Sequence, residues 1–122
     1  MPYTSRVVRI TTVGSAGAAT GTGTVGLPPG KLVGIAVDYT DQPGTTDIVV
    51  TMHGTPDKTL LTLTSANTDI PMFVPYELTR DNVGATIAGQ YKEPTVNGAV
   101  EVTVAQGDAA TDGVVVTFIV QV

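Results

Sequence analysis

Six residues near the start of the chain carry the glycine spacing of a nucleotide-binding turn. Residues 21–26 read GTGTVG, which fits the pattern GxGxxG. That pattern holds a pyrophosphate only when a strand precedes the glycines, a helix follows them and an acidic residue comes about 20 positions later. Here small residues precede the motif and the LPPG of residues 27–30 follows it, which excludes a helix, although Asp38 and Asp41 lie at a suitable distance. We therefore predict a strand of alternating Gly and Thr whose missing side chains let another backbone approach closely.

The titratable residues form no catalytic or zinc-binding set in the sequence. His53 is the single histidine and lies at a predicted strand end, with no serine or cysteine pattern around it. A chain with no cysteine and one histidine lacks the usual ligands of zinc. No carboxylate lies in the apolar setting that the acid catalyst of a glycosidase needs. The sequence therefore predicts a protein that is not an enzyme, with no catalytic, cofactor-binding or metal-binding residue and no cofactor.

Two groups of aspartates could hold a cation through oxygen ligands. Asp38, Asp41 and Asp47 crowd one predicted hairpin, and Asp108 and Asp112 share one loop. Neither group has the D-x-D-x-D-G spacing of a calcium loop. We expect carboxylates that accept hydrogen bonds from backbone amides in turns. A structural calcium ion is the alternative that the sequence leaves open.

The six aromatic residues include no tryptophan, the side chain that sugar-binding sandwiches often use as a platform. Phe118 lies in a predicted core strand, whereas Tyr76 and Tyr91 fall in an irregular middle region. We expect both tyrosines to pack locally, because a buried ring contributes a large apolar area. Contact with a partner is the alternative for these two side chains.

The composition favours an all-β chain with a single core. Val and Thr make up about a third of the 122 residues, and 14 glycines and eight prolines punctuate the valine-rich runs. A chain of this length is expected to form one domain, residues 1–122. The net charge is −5 and the six basic residues are scattered, which excludes the basic stripe of a nucleic-acid-binding protein. Neither a signal peptide nor a membrane-spanning stretch is recognisable, and so we expect a soluble protein.

Alternating apolar residues predict about eight strands. The clearest run, residues 31–39, places Val33, Ile35 and Val37 on one face, and we expect it to form a hairpin with residues 47–53 and a meander that reaches residue 64. Asn97-Gly98 is interpreted as a turn. The other predicted strands or extended pieces are residues 5–13, 20–27, 72–74, 84–91, 99–104 and 114–122. We expect a two-sheet antiparallel β-sandwich, jelly-roll-like, with an extended small-residue N-terminal segment.

Three stretches resemble the small virion proteins that tailed bacteriophages encode near their capsid genes. They read KLVGIAVDYTDQPGTTDIVVT, LTLTSANTDIPMFVPYELTRDNVGA and VNGAVEVTVAQGDAATDGVVVTFIV, and they span most of the chain from Lys31 to its end. The resemblance implies a head decoration or minor capsid protein, a β-sandwich that binds the major capsid protein on the outside of the virion. Such proteins are often trimers, so we expect a homo-oligomer with a trimer favoured, made in the host cytoplasm. The resemblance carries over no functional residue, and we expect no nucleic-acid or membrane partner.

Two further hypotheses follow from the sequence. A carbohydrate-binding or host-surface-binding module of a phage fibre or tail is the alternative to a decoration protein. The small-residue segment of residues 14–26 could also add a strand to a neighbouring chain, since sheet edges bind partners in this way. A structure in which these residues pack within their own chain would contradict the second hypothesis.

Overall fold

The molecule is built from β-strands. A computed structural model describes residues 2–122, and within them there is no helix, so none that could cross a membrane. In chain order the nine strands of this part of the chain are β1 (Tyr3–Thr12), β2 (Ala19–Tyr39), β3 (Asp47–Met52), β4 (Lys58–Leu63), β5 (Ile70–Phe73), β6 (Glu77–Arg80), β7 (Thr86–Lys92), β8 (Thr95–Gly107) and β9 (Ala110–Gln121). The predicted all-β class is confirmed.

Strand β2 is long enough to serve two sheets. Its N-terminal half, residues 19–31, pairs with β8, and its C-terminal half, residues 31–39, pairs with β9. The ladder with β8 shifts register between Leu27 and Gly30, where two prolines lack the amide hydrogen that a ladder needs. A side chain at Gly30 would collide with the carbonyl oxygen of Gln121, so the bend requires glycine there.

The strand pairing is that of a jelly roll. Sheet I consists of β1, β9, the C-terminal half of β2 and β5; sheet II consists of the N-terminal half of β2, β8, β3 and β4. Counting the halves of β2 separately and setting β6 and β7 aside gives eight segments. The first pairs with the last, the second with the seventh, the third with the sixth and the fourth with the fifth. Nested antiparallel pairing of this kind produces a jelly-roll sandwich, as predicted.

The core between the two sheets is aliphatic apart from one phenylalanine. Alternation along the strands turns Val8 and Ile10 inward from sheet I and Val100, Val102 and Val104 inward from sheet II, as the sequence predicts. The largest fully buried side chains are those of Phe118, Ile10, Leu32, Ile35, Ile48, Val37, Val50, Val96, Val100, Val102, Val104 and Val114. Burial of these side chains is the main source of stability, since the chain has no disulfide.

A bulge changes which residues of β2 face the core within residues 31–39, where the apolar alternation in the sequence is clearest. The ladder with β9 pairs Leu32 with Val120 and Gly34 with Ile119, which leaves Val33 as the extra residue. The bulge lets Leu32 and Ile35 both face the core, where each is fully buried, although they are three positions apart. The prediction that Val33 shares the inward face of Ile35 is therefore wrong.

Two predicted connections are also wrong. Residues 31–39 and 47–53 do not form a hairpin, because the loop between them crosses from sheet I to sheet II, where β3 pairs with β8 and β4. The later part of the meander, β3 to β4, is confirmed. Asn97-Gly98 is not a turn between strands but lies inside β8, where Gly98 has a φ of +95° that favours glycine.

The small-residue segment packs against its own chain. Gly21 and Gly23 lie under β1, and a Cβ at either would come within 2.6 Å of the side chain of Ile10 or Val8. The same residues pair with β8, opposite Val104 and Val102. The hypothesis of an arm that adds to a neighbouring chain is contradicted, because the close backbone that the glycines admit belongs to β1 of the same molecule.

A buried amide closes one end of the sandwich. The Nε2 group of Gln42 donates to the carbonyl oxygens of Asp108 (3.0 Å) and Thr40 (3.2 Å), and its Oε1 accepts from the Asp108 amide at 3.1 Å. One side chain thus joins the loop that follows β2 to the loop between β8 and β9.

The two ends of the described chain lie side by side. Tyr3 of β1 pairs with Gln121 of β9, and the Val122 amide donates to the carbonyl oxygen of Pro2 at 3.2 Å. The first and last strands therefore enter and leave sheet I at the same corner.

Candidate functional site

The glycine motif lies within a strand and faces no helix. Residues 21–26 form part of β2, which continues through the LPPG segment of residues 27–30. The Gly-Thr strand that the sequence predicts is confirmed, with Thr22 and Thr24 on the exposed face of sheet II and Gly21 and Gly23 turned toward β1. No backbone amides converge here as a phosphate cradle requires.

His53 lies beyond the end of β3 between two carboxylates. Its Nδ1 is 3.7 Å from Asp57 Oδ1 and its Nε2 is 3.8 Å from Glu101 Oε2, and the side chain is partly exposed to solvent. Both separations are longer than a hydrogen bond. The surroundings are those of a strand-end histidine with loose ionic neighbours.

The aspartates hold turns, as the sequence predicts. Asp47 accepts from the Ser65 amide at 2.8 Å, and Asp108 accepts from the Gly17 amide at 2.8 Å. Asp38, in contrast, stands exposed on the outer face of sheet I. Across residues 2–122, no group of three or more His, Asp or Glu side chains is arranged to hold a metal ion.

Tyr39 lies at the end of β2, and the pKa of its side chain is shifted. Burial, and after it the charge of Asp69, raises the pKa of the Tyr39 hydroxyl above its ordinary value of 10.0. The hydroxyl oxygen is buried without a hydrogen-bond partner. The nearby carboxylate of Asp69 accepts a hydrogen bond from the backbone amide of Tyr39, at 2.7 Å, and none from its hydroxyl.

The clearest functional candidate is a two-stranded hairpin that stands apart from both sheets. Strands β6 and β7 pair with each other and, among the described strands, with no other. The chain inserts this hairpin between β5 and β8, the sixth and seventh segments of the jelly roll. Strand β6 is not among the strands that the alternation of apolar residues predicts, although the Asp81-Asn82-Val83-Gly84 turn between extended stretches is a signal for it.

The tip of the hairpin is held by its own side chains. The carboxylate of Asp81 accepts from the amides of Val83 and Ala85, each at 3.0 Å, and Arg80 donates to the carbonyl oxygen of Gly84 at 2.7 Å. These bonds fix the turn without help from the sandwich. The hairpin therefore presents a defined shape to solvent.

Large apolar side chains of the hairpin region point into solvent. Tyr76 and Tyr91 are each 62% exposed and Val83, at the tip, is 81% exposed. The expectation that the two tyrosines pack locally is wrong, because most of each residue is exposed to solvent. Exposed aromatic side chains are typical of surfaces that bind partners.

A cleft of about 720 Å³ separates the hairpin from the turn between β3 and β4. Three of the six basic residues of the chain line it, namely Lys58, Arg80 and Lys92. Lys58 Nζ lies 2.5 Å from the carboxylate of Glu77, and Lys92 Nζ lies 3.8 Å from it. The Lys58–Glu77 ion pair is the direct polar link from sheet II to the hairpin. Neither Tyr76 nor Tyr91 is among the residues that line the cleft.

Comparison with known protein families and with curated protein sequences gave no match.

Proposed function

We propose that the chain is a structural virion protein of a tailed bacteriophage, a head decoration protein that binds the major capsid protein on the outer surface of the shell and stabilises it without catalysis. The observation that carries this proposal is the projecting hairpin, an element that the sandwich does not need for its own core. The sequence resemblance from Lys31 onward and the jelly-roll architecture support it. Association of copies, with a trimer favoured, remains a prediction from the resemblance.

Physical chemistry supports the hairpin as the attachment element. A lone two-stranded hairpin is only marginally stable in water. Its exposed Tyr76, Val83 and Tyr91 would be buried against a partner, which would stabilise both the hairpin and the complex. Because the tip is already ordered by Asp81, less conformational entropy is lost on binding.

The stabilising mechanism is mass action. A protein that binds the assembled shell and not its separated subunits shifts the equilibrium toward the shell, by an amount that grows with the ratio of free protein to its dissociation constant. The net charge of −5, with no basic stripe, is consistent with a protein that remains on the outside and is not attracted to packaged nucleic acid.

Co-sedimentation with purified, expanded phage capsids tests the proposal. We expect the protein to pellet with the capsids at micromolar concentration, and a protein that stays in the supernatant would overturn the proposal. Val83→Ser should weaken binding, since it removes the apolar tip. Val13→Ser is the matched control, because Val13 is similarly exposed, at 65%, but lies in the turn between β1 and β2.

The exposed Tyr76 and Tyr91 favour one second candidate, a carbohydrate-binding or host-surface-binding module. Aromatic rings at a protein surface can stack on sugar rings, and more than half of each tyrosine is exposed to solvent. Binding of the isolated protein to a glycan array, lost in the Tyr76→Ser, Tyr91→Ser double variant, would favour this candidate. Capsid binding without glycan binding would favour the decoration protein.

A further inference from the structure

The outer face of sheet I has an arrangement of side chains that is complementary to itself. Directly opposed residues of an antiparallel sheet share a face, so the register with β9 defines rows that cross β1, β9 and β2. The rows on the solvent side are Arg9–Val115–Asp38, Val7–Thr117–Ala36, Ser5–Ile119–Gly34 and Tyr3–Gln121–Lys31.

The middle of this face carries no charge and is largely apolar. Val7 is 46% exposed, and Met72, which lies over Gly34, is 48% exposed. The solvent side of an antiparallel sheet is ordinarily polar. The charges of these rows lie at their two ends, with Arg9 and Asp38 at one end and Lys31 at the other. The face thus has an apolar centre and charged margins, as protein interfaces do.

A hollow of about 380 Å³ lies at the Asp38 end of the face. Its lining combines the carboxylates of Asp38 and Asp69 with apolar side chains that include Ile70 and Val115, and no Lys, Arg or His lines it among the described residues. A side chain with an aliphatic stem and a cationic head fits such a lining. Arg9 of the same chain stands two strands away, about 10 Å across the sheet, and is loosely paired with Asp112 at 3.7 Å.

We propose that two copies of this chain pair through the outer faces of sheet I, around a two-fold axis that runs along β9. Such an axis exchanges β1 with β2, so each row of one copy meets the same row of the other in reverse order. Arg9 then faces the second copy's Asp38 and the hollow beside it, and Asp38 faces the second copy's Arg9. A contact that is repeated in both directions is the mark of a two-fold interface.

The other rows fit the same axis. Val7 meets the small Ala36 of the second copy, so a larger side chain opposes a smaller one, and Ser5 meets the second copy's Met72, which covers Gly34. Tyr3 meets Lys31, a pair that can form a cation–π contact. Sheets packed face to face are about 10 Å apart, a gap that an arginine and an aspartate span together.

The size of the face sets the strength of the pair. Strands about 4.8 Å apart, with a rise of about 3.4 Å per residue, give each copy a contact area of roughly 400–500 Å². The pair buries roughly 800–1,000 Å² in total, at or slightly below the lower limit for a specific interface. We therefore expect a reversible dimer with a dissociation constant in the micromolar range or weaker. The pair differs from the trimer that the sequence resemblance predicts, because a three-fold assembly would need two different surfaces and would not use these rows.

Charge-reversal variants at the proposed interface test the pairing. The association of the full chain is measured by sedimentation equilibrium at protein concentrations from about 1 µM to about 1 mM. Wild-type protein should approach the dimer mass as its concentration rises. Arg9→Glu places two carboxylates in opposition and Asp38→Arg places two cations in opposition, so each variant alone should weaken the dimer roughly tenfold or more.

An equimolar mixture of the two variants should form a heterodimer. In the mixed pair the introduced glutamate of one copy opposes the introduced arginine of the other, and the unchanged Arg9 opposes the unchanged Asp38. Every charge at this end of the face then meets its opposite again. Restored association in the mixture also demonstrates that both variants fold.

Arg6→Glu is the matched control, since it makes the same charge change on the same strand but on the side that faces away from the proposed contact. It should leave the dimer intact. A wild-type protein that stays monomeric, or that forms a trimer, would overturn the pairing. Failure of the mixture to associate would do the same. The pairing is independent of the proposed shell attachment, because sedimentation of the isolated protein involves no capsid.

Discussion

At the scale of single residues, two buried polar groups affect the stability of the fold, and the alternation of valines in the sequence reveals neither of them. Gln42 is buried and uses both ends of its amide, so its hydrogen bonds tie the Asp108 backbone to the loop after β2. Tyr39 buries its hydroxyl without a partner. The first arrangement stabilises the fold and the second weakens it, because a buried polar group loses the hydrogen bonds that water offered.

Gln42→Leu should lower the free energy of unfolding by about 2–3 kcal/mol. The substitution keeps the bulk of the side chain but leaves the amide and carbonyl of Asp108 without their buried partner. Urea denaturation measures the change. Gln90→Leu, on the exposed side of the hairpin, is the control and should change stability by less than about 0.5 kcal/mol. Equal losses in the two variants would contradict the role of Gln42.

Tyr39→Phe should stabilise the protein by about 1 kcal/mol at pH 7, since it removes a buried hydroxyl that has no partner. The effect has a definite pH dependence. The pKa of Tyr39 is raised in the folded chain, so the folded chain holds this proton more tightly than the unfolded chain does. That part of the stability is fully present below pH 10.0 and is lost as the pH rises through the raised pKa.

The gain from Tyr39→Phe should therefore be larger at about pH 11 than at pH 7, because phenylalanine cannot ionise. Urea denaturation at both pH values measures it. Tyr3→Phe, at an exposed tyrosine, should show no such growth. A gain for Tyr39→Phe that stays constant with pH would contradict the argument.

At the scale of strands, the sequence predicts which residues face the core, because this depends on alternation within a strand. It does not predict which strands pair with one another. The inward valines of β8 and β9 follow from period-two patterning, because every second residue faces the core whatever strand lies beside it. The bulge at Val33 and the crossing from β2 to β3 depend on pairings distant in sequence. The sequence does not identify the hairpin as a site, because the residue type alone does not distinguish an exposed tyrosine from a buried one.

The glycine motif provides a matched pair of substitutions within one strand. Gly23→Val should cost about 1–3 kcal/mol, because the new Cβ would lie 2.6 Å from Val8 Cγ2 and the sheets would have to move apart. Gly26→Val should change stability by less than about 0.5 kcal/mol, or raise it slightly, since no atom lies within 4 Å of its Cβ position and valine favours strands. Thermal unfolding compares the two. A larger loss at Gly26 would refute the packing of the motif under β1.

Removal of the hairpin should separate folding from binding. Replacement of residues 77–92 by a short Gly-Ser linker should shift the melting temperature by no more than about 3 °C, because β6 and β7 pair with no other strand of the described chain and the partly exposed Lys58–Glu77 ion pair contributes little. The shortened protein should no longer pellet with capsids. A collapse of cooperative unfolding would show instead that the sandwich depends on the hairpin.

At the scale of the whole molecule, β2 couples the two sheets. One strand contributes its first half to sheet II and its second half to sheet I, so neither sheet can separate without straining the other. We expect the amides of Val102 and Val116, in the central strands of sheets II and I, to exchange with the free energy of global unfolding. Hydrogen exchange followed by NMR measures both. Exchange more than about tenfold faster in one sheet, equivalent to about 1.4 kcal/mol, would indicate independent opening.

The side-by-side ends of the chain determine how the molecule responds to tension. Tyr3 and Gln121 are paired where β1 begins and β9 ends, so a pull on the two termini acts across the ladder and not along it. The hydrogen bonds of this ladder lie perpendicular to the strands and therefore parallel to the pulling force, so they break one pair at a time. We therefore expect the jelly roll to unfold at low force when it is pulled by its two termini. A pulling force applied through a different strand should meet more resistance.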